Sequence, residues 1–156
     1  MLRFHNYDIV FQEIPDEVTL AVNITGCPNR CPECHSKFLW ADTGEPLNEE
    51  SLSVLIGEYG SAITCLSFMG GDQEPQEVNR LAAWLRQEHP RLKIGWYSGR
   101  QDRDEAIGLQ NFDFIKLGPY EAEHGSLKER TTNQRLYRVE AGGRLEDITS
   151  RFWKKH

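Results

Sequence analysis

The stretch AITCLSFMGGDQEPQEVNRLAAWLRQEHPRLKIGWY, residues 62–97, decides the fold. Residues 62–69 form an apolar run of strand length that stops at Gly70-Gly71. Residues 75–88 follow a helical period, with Val78, Leu81, Ala82 and Leu85 on one face. Residues 93–97 (KIGWY) read as a strand again. A strand, a helix and a second strand in this order predict two parallel strands joined by a crossover.

The same alternation extends in both directions. Towards the N-terminus, residues 48–59 (NEESLSVLIGEY) predict a helix with Asn48 as its N-cap, Ser51 being the second choice. Residues 17–25 (EVTLAVNIT) alternate apolar Val18, Leu20, Val22 and Ile24, and 7–14 (YDIVFQEI) read as an opening strand. Between them and the helix, 26–45 is a long loop. Towards the C-terminus the pattern predicts a short helix at 102–109, a strand at 112–117, an edge strand at 136–140 and a terminal helix at 145–155. No internal repeat, low-complexity tract or Gly/Ser linker interrupts the chain, so one domain over 1–156 is expected, an α/β fold with mostly parallel strands. In such sheets ligands gather at the carboxyl ends of strands. The loop holding three cysteines follows one expected strand, Gly70-Gly71-Asp72 the next, Ser98-Gly99-Arg100 the next and Gly118-Pro119-Tyr120 the next. Four strand ends would share one mouth.

Composition narrows the function. The 156 residues are 38% hydrophobic and 27% charged, as in soluble globular proteins, and the net charge of −6 gives no reason to expect nucleic acid as a partner. No run approaches the roughly 20 apolar residues of a membrane span, and the first residues lack the apolar core of a signal peptide, so a cytoplasmic location is expected. Cys27, Cys31 and Cys34 sit within eight residues, while Cys65 lies alone inside an expected strand and reads as a core residue. In a reducing compartment three close thiols point to a metal rather than to disulfides.

The segment GCPNRCPECHS, residues 26–36, spaces its thiols as Cys27-x3-Cys31-x2-Cys34. Thiolates are the ligands of iron–sulfur clusters. Three of them on a four-cornered cubane leave one iron open to another ligand. Pro28 and Pro32 stiffen the loop, and Gly26 permits a sharp exit from the strand. Three cysteines with His35 also compose a zinc donor set. The adjacent Cys34 and His35 are poorly placed to grip one tetrahedral ion, and no second paired half-site follows.

This loop after an early strand resembles the radical S-adenosylmethionine superfamily. The resemblance implies a partial, incomplete TIM-like barrel. It also implies a 4Fe-4S cluster on Cys27, Cys31 and Cys34, whose open iron is chelated by the amino and carboxylate groups of S-adenosylmethionine. An electron from the cluster then cleaves a carbon–sulfur bond, leaving methionine and a 5′-deoxyadenosyl radical. Many members carry an aromatic residue just before the third cysteine, near the adenine. Here Glu33 stands there, so only its backbone is available for that contact, and His35 lies beside the cluster or the ligand. SFMGGD resembles the superfamily's glycine-rich motif. Gly70 and Gly71 would offer carbonyls to the ligand's ammonium, with Asp72 adding negative charge. Ser98 would bind the ribose or the carboxylate. Arg100 would pair with a carboxylate or sit in a solvated loop, and Lys116 would be either a buried cation facing the carboxylate or an exposed lysine.

With WYSGR, KLGPY and TTNQRLYRV added, most of the chain is similar to the activating proteins of anaerobic (class III) ribonucleoside-triphosphate reductases. The implied partners are the large reductase subunit, on which a glycyl radical is made, and reduced flavodoxin or ferredoxin as electron donor. Two alternatives stand beside this one: a radical enzyme acting on another glycyl-radical protein or on a small molecule, and a non-enzymatic zinc-binding interaction module. A complete eight-stranded barrel takes about 250 residues. A chain this short suits a substrate that is itself a protein and closes the open side.

Overall fold

The structure, a computed structural model, describes residues 2–11, 14, 17–25, 45–100, 105–118, 127, 129–130, 132–140 and 142–152. Among these residues eight strands form one mixed sheet: β1 (Arg3–Val10), β2 (Thr19–Ile24), β3 (Glu45–Pro46), β4 (Cys65–Met69), β5 (Lys93–Tyr97), β6 (Phe114–Leu117), β7 (Arg135–Val139) and β8 (Leu145–Asp147). Their order is β3-β1-β2-β4-β5-β6-β7-β8. The α-helices among the described residues are α1 (Glu49–Tyr59), between β3 and β4, and α2 (Pro75–Glu88), between β4 and β5.

The centre of the sheet is parallel: β2, β4, β5 and β6 pair in sequence order. The expectation of a mostly parallel sheet is corrected at its flanks, where four pairings are antiparallel against three parallel ones in the centre. Connection length accounts for the β1–β2 and β7–β8 pairs, because a parallel pairing needs a crossover of a dozen or more residues. The sheet is open, with β3 and β8 as its ends.

Strand alternation divides the core into two layers. On one face Leu20, Val22, Ile24, Leu66, Phe68, Ile94, Trp96, Ile115 and Leu117 pack with Leu52, Leu55 and Ile56 of α1 and Val78, Leu81, Ala82 and Leu85 of α2. On the other, Cys65, Phe114 and Leu136 meet Ile14, Leu127 and Ile148. Gly95 makes the second layer possible: a Cβ there would lie 2.7 Å from Ile14 Cδ1 and 3.0 Å from Ser67 Oγ.

Several elements coincide with the sequence pattern. The bounds of α2 and β5 are those expected, and the four apolar residues assigned to the face of α2 are all buried. Asn48 caps α1: its Oδ1 accepts from Ser51 N at 2.9 Å, and Ser51 Oγ accepts from Asn48 N at 3.0 Å. Ser51 is thus the reciprocal half of a capping box.

Others are corrected. The first strand starts four residues early, because Arg3 and Phe4 pair with β3 and an irregularity near His5 hides the alternation. β4 starts at Cys65, since residues 60–62 form a 3-10 turn whose neighbourhood is held by Arg91 donating to the Gly60 and Ile63 carbonyls. The helix expected at 102–109 is not found over 105–108; a 3-10 turn, Leu109–Asn111, stands next to it. Here Asn79 Oδ1 accepts from Gly108 N at 2.8 Å and from Asn111 Nδ2 at 3.0 Å. β7 is interior rather than an edge, because β8 pairs outside it. Residues 145–152 are β8 and a 3-10 turn rather than a helix. Gly142 and Gly143, at φ 84° and 81°, turn the chain back as a hairpin, and Thr149 Oγ1 accepts from Leu136 N at 2.9 Å. No helix among the described residues is long and apolar enough to cross a membrane.

Asn48→Ala is expected to cost about 1 kcal/mol of stability in anaerobic denaturant titration, and Asn48→Asp to restore most of it.

Candidate cofactor site at the strand ends

The parallel register sets one row of side chains at the carboxyl end of the sheet. Asn23 is opposite Met69, Met69 opposite Tyr97, and Tyr97 opposite Lys116. By strand parity this row is on the face opposite α1 and α2. The sequence singled out Lys116 only; Asn23, Met69 and Tyr97 become visible once register is known. From this row the loops Gly70-Gly71-Asp72, Ser98-Gly99-Arg100 and Gly118 leave the sheet.

Gly70 and Gly71 adopt φ of 105° and 95°, which side-chain-bearing residues avoid. A Cβ on Gly71 would also stand 2.7 Å from Val78 Cγ2. The Gly70 N–H donates to the Tyr97 carbonyl at 2.9 Å, and Trp96 Nε1 donates to the Gly70 carbonyl at 2.7 Å. That carbonyl, expected to face a ligand, therefore already has a protein donor on one lone pair. The turn is fixed by β5.

Asp72 is 2% exposed. Its Oδ1 accepts from Ser98 Oγ at 2.6 Å and its Oδ2 from Gly99 N at 2.9 Å. Its backbone carbonyl accepts from Arg100 Nη2 at 2.8 Å, and Ser98 Oγ in turn accepts from Arg100 N at 3.1 Å. Asp72, Ser98 and Arg100 thus come together as the sequence suggested, but they bind one another. Lys116, 7% exposed, is buried and not the exposed lysine of the second possibility. Its Nζ donates to the Ser98 carbonyl at 3.1 Å and the Gly118 carbonyl at 2.8 Å, and lies 5.7 Å from the Tyr97 ring centroid. A buried ammonium costs several kcal/mol unless such partners surround it. Asp72, Ser98 and Lys116 therefore link the ends of β4, β5 and β6 in series.

Cys27, Cys31, Glu33, Cys34 and His35 lie outside the described residues. The flanks of their segment are described, and both are tied to the start of β1. Thr25 N donates to the Arg3 carbonyl at 2.9 Å, while Glu45 and Pro46 pair with Phe4 and Arg3. Gln73 Nε2 donates to the Thr25 carbonyl at 2.7 Å. The chain thus leaves β2 for the cysteine segment beside the Gly70–Asp72 turn. Gln73 is a contact the sequence gave no reason to choose.

The family model for a 4Fe-4S single cluster domain matches residues 17–139. The chain belongs to this family. The matched region holds all three clustered cysteines together with Gly70–Asp72, Ser98 and Lys116. No curated protein and no solved structure matches the chain. For a 4Fe-4S single cluster domain the donor chemistry fits, since soft thiolates are what iron–sulfur clusters take. Among the described residues no group of three or more His, Cys, Asp or Glu is arranged to hold a metal ion. The fourth cysteine, Cys65, is fully buried at the start of β4, roughly 13 Å along the strand from Met69. Burial pushes its thiol up to about 12. A buried thiol held up in this way is a core residue rather than a reactive thiolate.

Two outcomes follow from this geometry. Cys65→Ala should leave the iron and sulfide content of the reconstituted protein unchanged; a large loss would make it a ligand. Asp72→Ala strands the Ser98 hydroxyl and the Gly99 N–H, and should cost about 2 to 3 kcal/mol in anaerobic denaturant titration, with Asp72→Asn in between.

Proposed function

We propose that this 4Fe-4S protein is the activating enzyme of an anaerobic ribonucleoside-triphosphate reductase. The observation that carries the reading is the family match across the Cys27-x3-Cys31-x2-Cys34 segment, together with the flanks of that segment being anchored beside a glycine turn at the strand ends. Cys27, Cys31 and Cys34 would hold the cluster and leave one iron to bind S-adenosylmethionine. When bound, the cluster would supply the electron that cleaves S-adenosylmethionine, the chemistry by which hydrogen would be taken from a glycine Cα of the reductase.

The chain's own residues prepare the site. Gly70 and Gly71 bring bare backbone to the mouth, where a carbonyl can accept from the ligand's ammonium. Asp72 acts through others in this reading: it sets the hydroxyl of Ser98 and the N–H of Gly99, and so the shape of the wall that faces ribose and carboxylate. Lys116 puts a positive charge within the same wall. Glu33 and His35 adjoin the third cysteine in sequence and complete the cofactor set. The open sheet, read as an incomplete barrel, leaves a side for a protein substrate to close, and closure is what shields a radical from water. Flavodoxin or ferredoxin would supply the electron, in the cytoplasm.

The test is anaerobic reconstitution with dithionite, S-adenosylmethionine and the reductase. The expected result is 5′-deoxyadenosine with a glycyl signal in electron paramagnetic resonance. Colourless protein holding one zinc would overturn the cluster reading. Cleavage without a glycyl signal would move the chain to another radical substrate. Cys27→Ala, Cys31→Ala and Cys34→Ala should each abolish cleavage, assayed as 5′-deoxyadenosine; turnover retained in any of them contradicts the ligand set.

A further inference from the structure

At the far edge of the sheet from β8, a groove of about 510 Å³ runs between α1 and the β1–β3 edge. Phe4, Tyr7, Val54 and Leu55 supply its apolar surface, and Glu45, Glu50 and Glu58 its charge. The described lining holds no Lys, Arg or His. Val54 is 66% exposed on a helix whose buried face is otherwise in the core. Glu50, Val54 and Glu58 follow one another at four-residue steps, so they share one side of α1. Glu58, 3.5 Å from the Tyr7 hydroxyl, raises the Tyr7 pKa, with Glu45 adding to it, as expected where negative potential is concentrated. Beside the groove, β3 covers only Arg3 and Phe4 of β1; residues 6–10 face no described strand on that side.

We infer that this groove docks an extended segment of the protein substrate that carries Lys or Arg next to apolar side chains. The inference rests on the activating-enzyme reading, which requires such a substrate. Residues 6–10 of β1, which face no described strand on that side, would take the segment by strand addition, the apolar floor would take alternate side chains, and the three carboxylates would select for cations. A second copy of this chain fits less well. An isologous contact would set the same glutamates against each other, in a chain whose net charge is already −6. The groove is on the helix-covered side of the sheet, away from the row Asn23–Met69–Tyr97–Lys116, so docking here would leave the mouth free for the reacting glycine.

The experiment measures anaerobic complex formation between the reconstituted full chain and the reductase large subunit. Glu50→Lys/Glu58→Lys should weaken the complex about tenfold or more, with a smaller loss for Glu50→Gln/Glu58→Gln, while iron content and partner-free cleavage of S-adenosylmethionine stay at the wild-type level. An unchanged affinity in the charge-reversed variant overturns the groove alone. A wild-type chain that cleaves S-adenosylmethionine yet forms no complex overturns the activating-enzyme reading, and the groove with it. Should the charge reversal impair folding, Val54 replaced by p-benzoylphenylalanine decides instead. Photo-crosslinking to a Lys- or Arg-bearing segment of the reductase supports the groove. A crosslink to an acidic segment, to a second copy of this chain, or to nothing overturns it.

Discussion

A carboxylate and an ammonium, both buried, hold three strand ends in one place, and the rest of the site hangs on them. Asp72 reaches from β4 to the Ser98 hydroxyl, and Lys116 reaches from β6 to the Ser98 carbonyl. Neither charge would be tolerated in the interior without such partners, since each loses several kcal/mol of hydration. The partners are therefore as fixed as the charges. Gly70–Asp72, Ser98–Arg100 and Gly118 are thereby bonded into one wall, and Gln73 extends that wall to Thr25, where the cysteine segment departs.

The wall depends on the sheet behind it. Because β2, β4, β5 and β6 are parallel and adjacent in chain order, their carboxyl ends lie side by side. The antiparallel strands on either flank widen the sheet without adding to that line of ends. Small groups on the face opposite the helices, Ser67 and Gly95 among them, let Ile14 and the rest of the second core layer close against the sheet.

The parts legible in the sequence were those decided by local physics. The helix α2 shows a full apolar stripe after a proline, and α1 begins at a residue whose side chain caps it, so both could be placed to within a residue. The strand β5 is bounded by charge on one side and Ser-Gly on the other. Long-range pairing was not legible. The terminal segment 145–152 has a plausible helical period, but Gly142 and Gly143 send it back along β7, where pairing and the burial of Ile148 outweigh propensity. The candidate site divides in the same way. Residue type flagged Asp72, Ser98 and Lys116, yet their mutual bonding needed the register, as did the row of Asn23, Met69 and Tyr97. The spacing of the three clustered cysteines marked them as candidate cluster ligands, and the family match covers the segment that holds them.

The central proposal is chemical: three thiolates from one loop would leave one iron of the cluster open to S-adenosylmethionine. Electron–nuclear double resonance of the reduced cluster, with the amino nitrogen of S-adenosylmethionine labelled with 15N and its carboxylate with 17O, tests this most directly. Hyperfine coupling of both labels to the cluster is the predicted result. A reduced four-iron cluster that shows neither coupling at saturating S-adenosylmethionine would contradict the account.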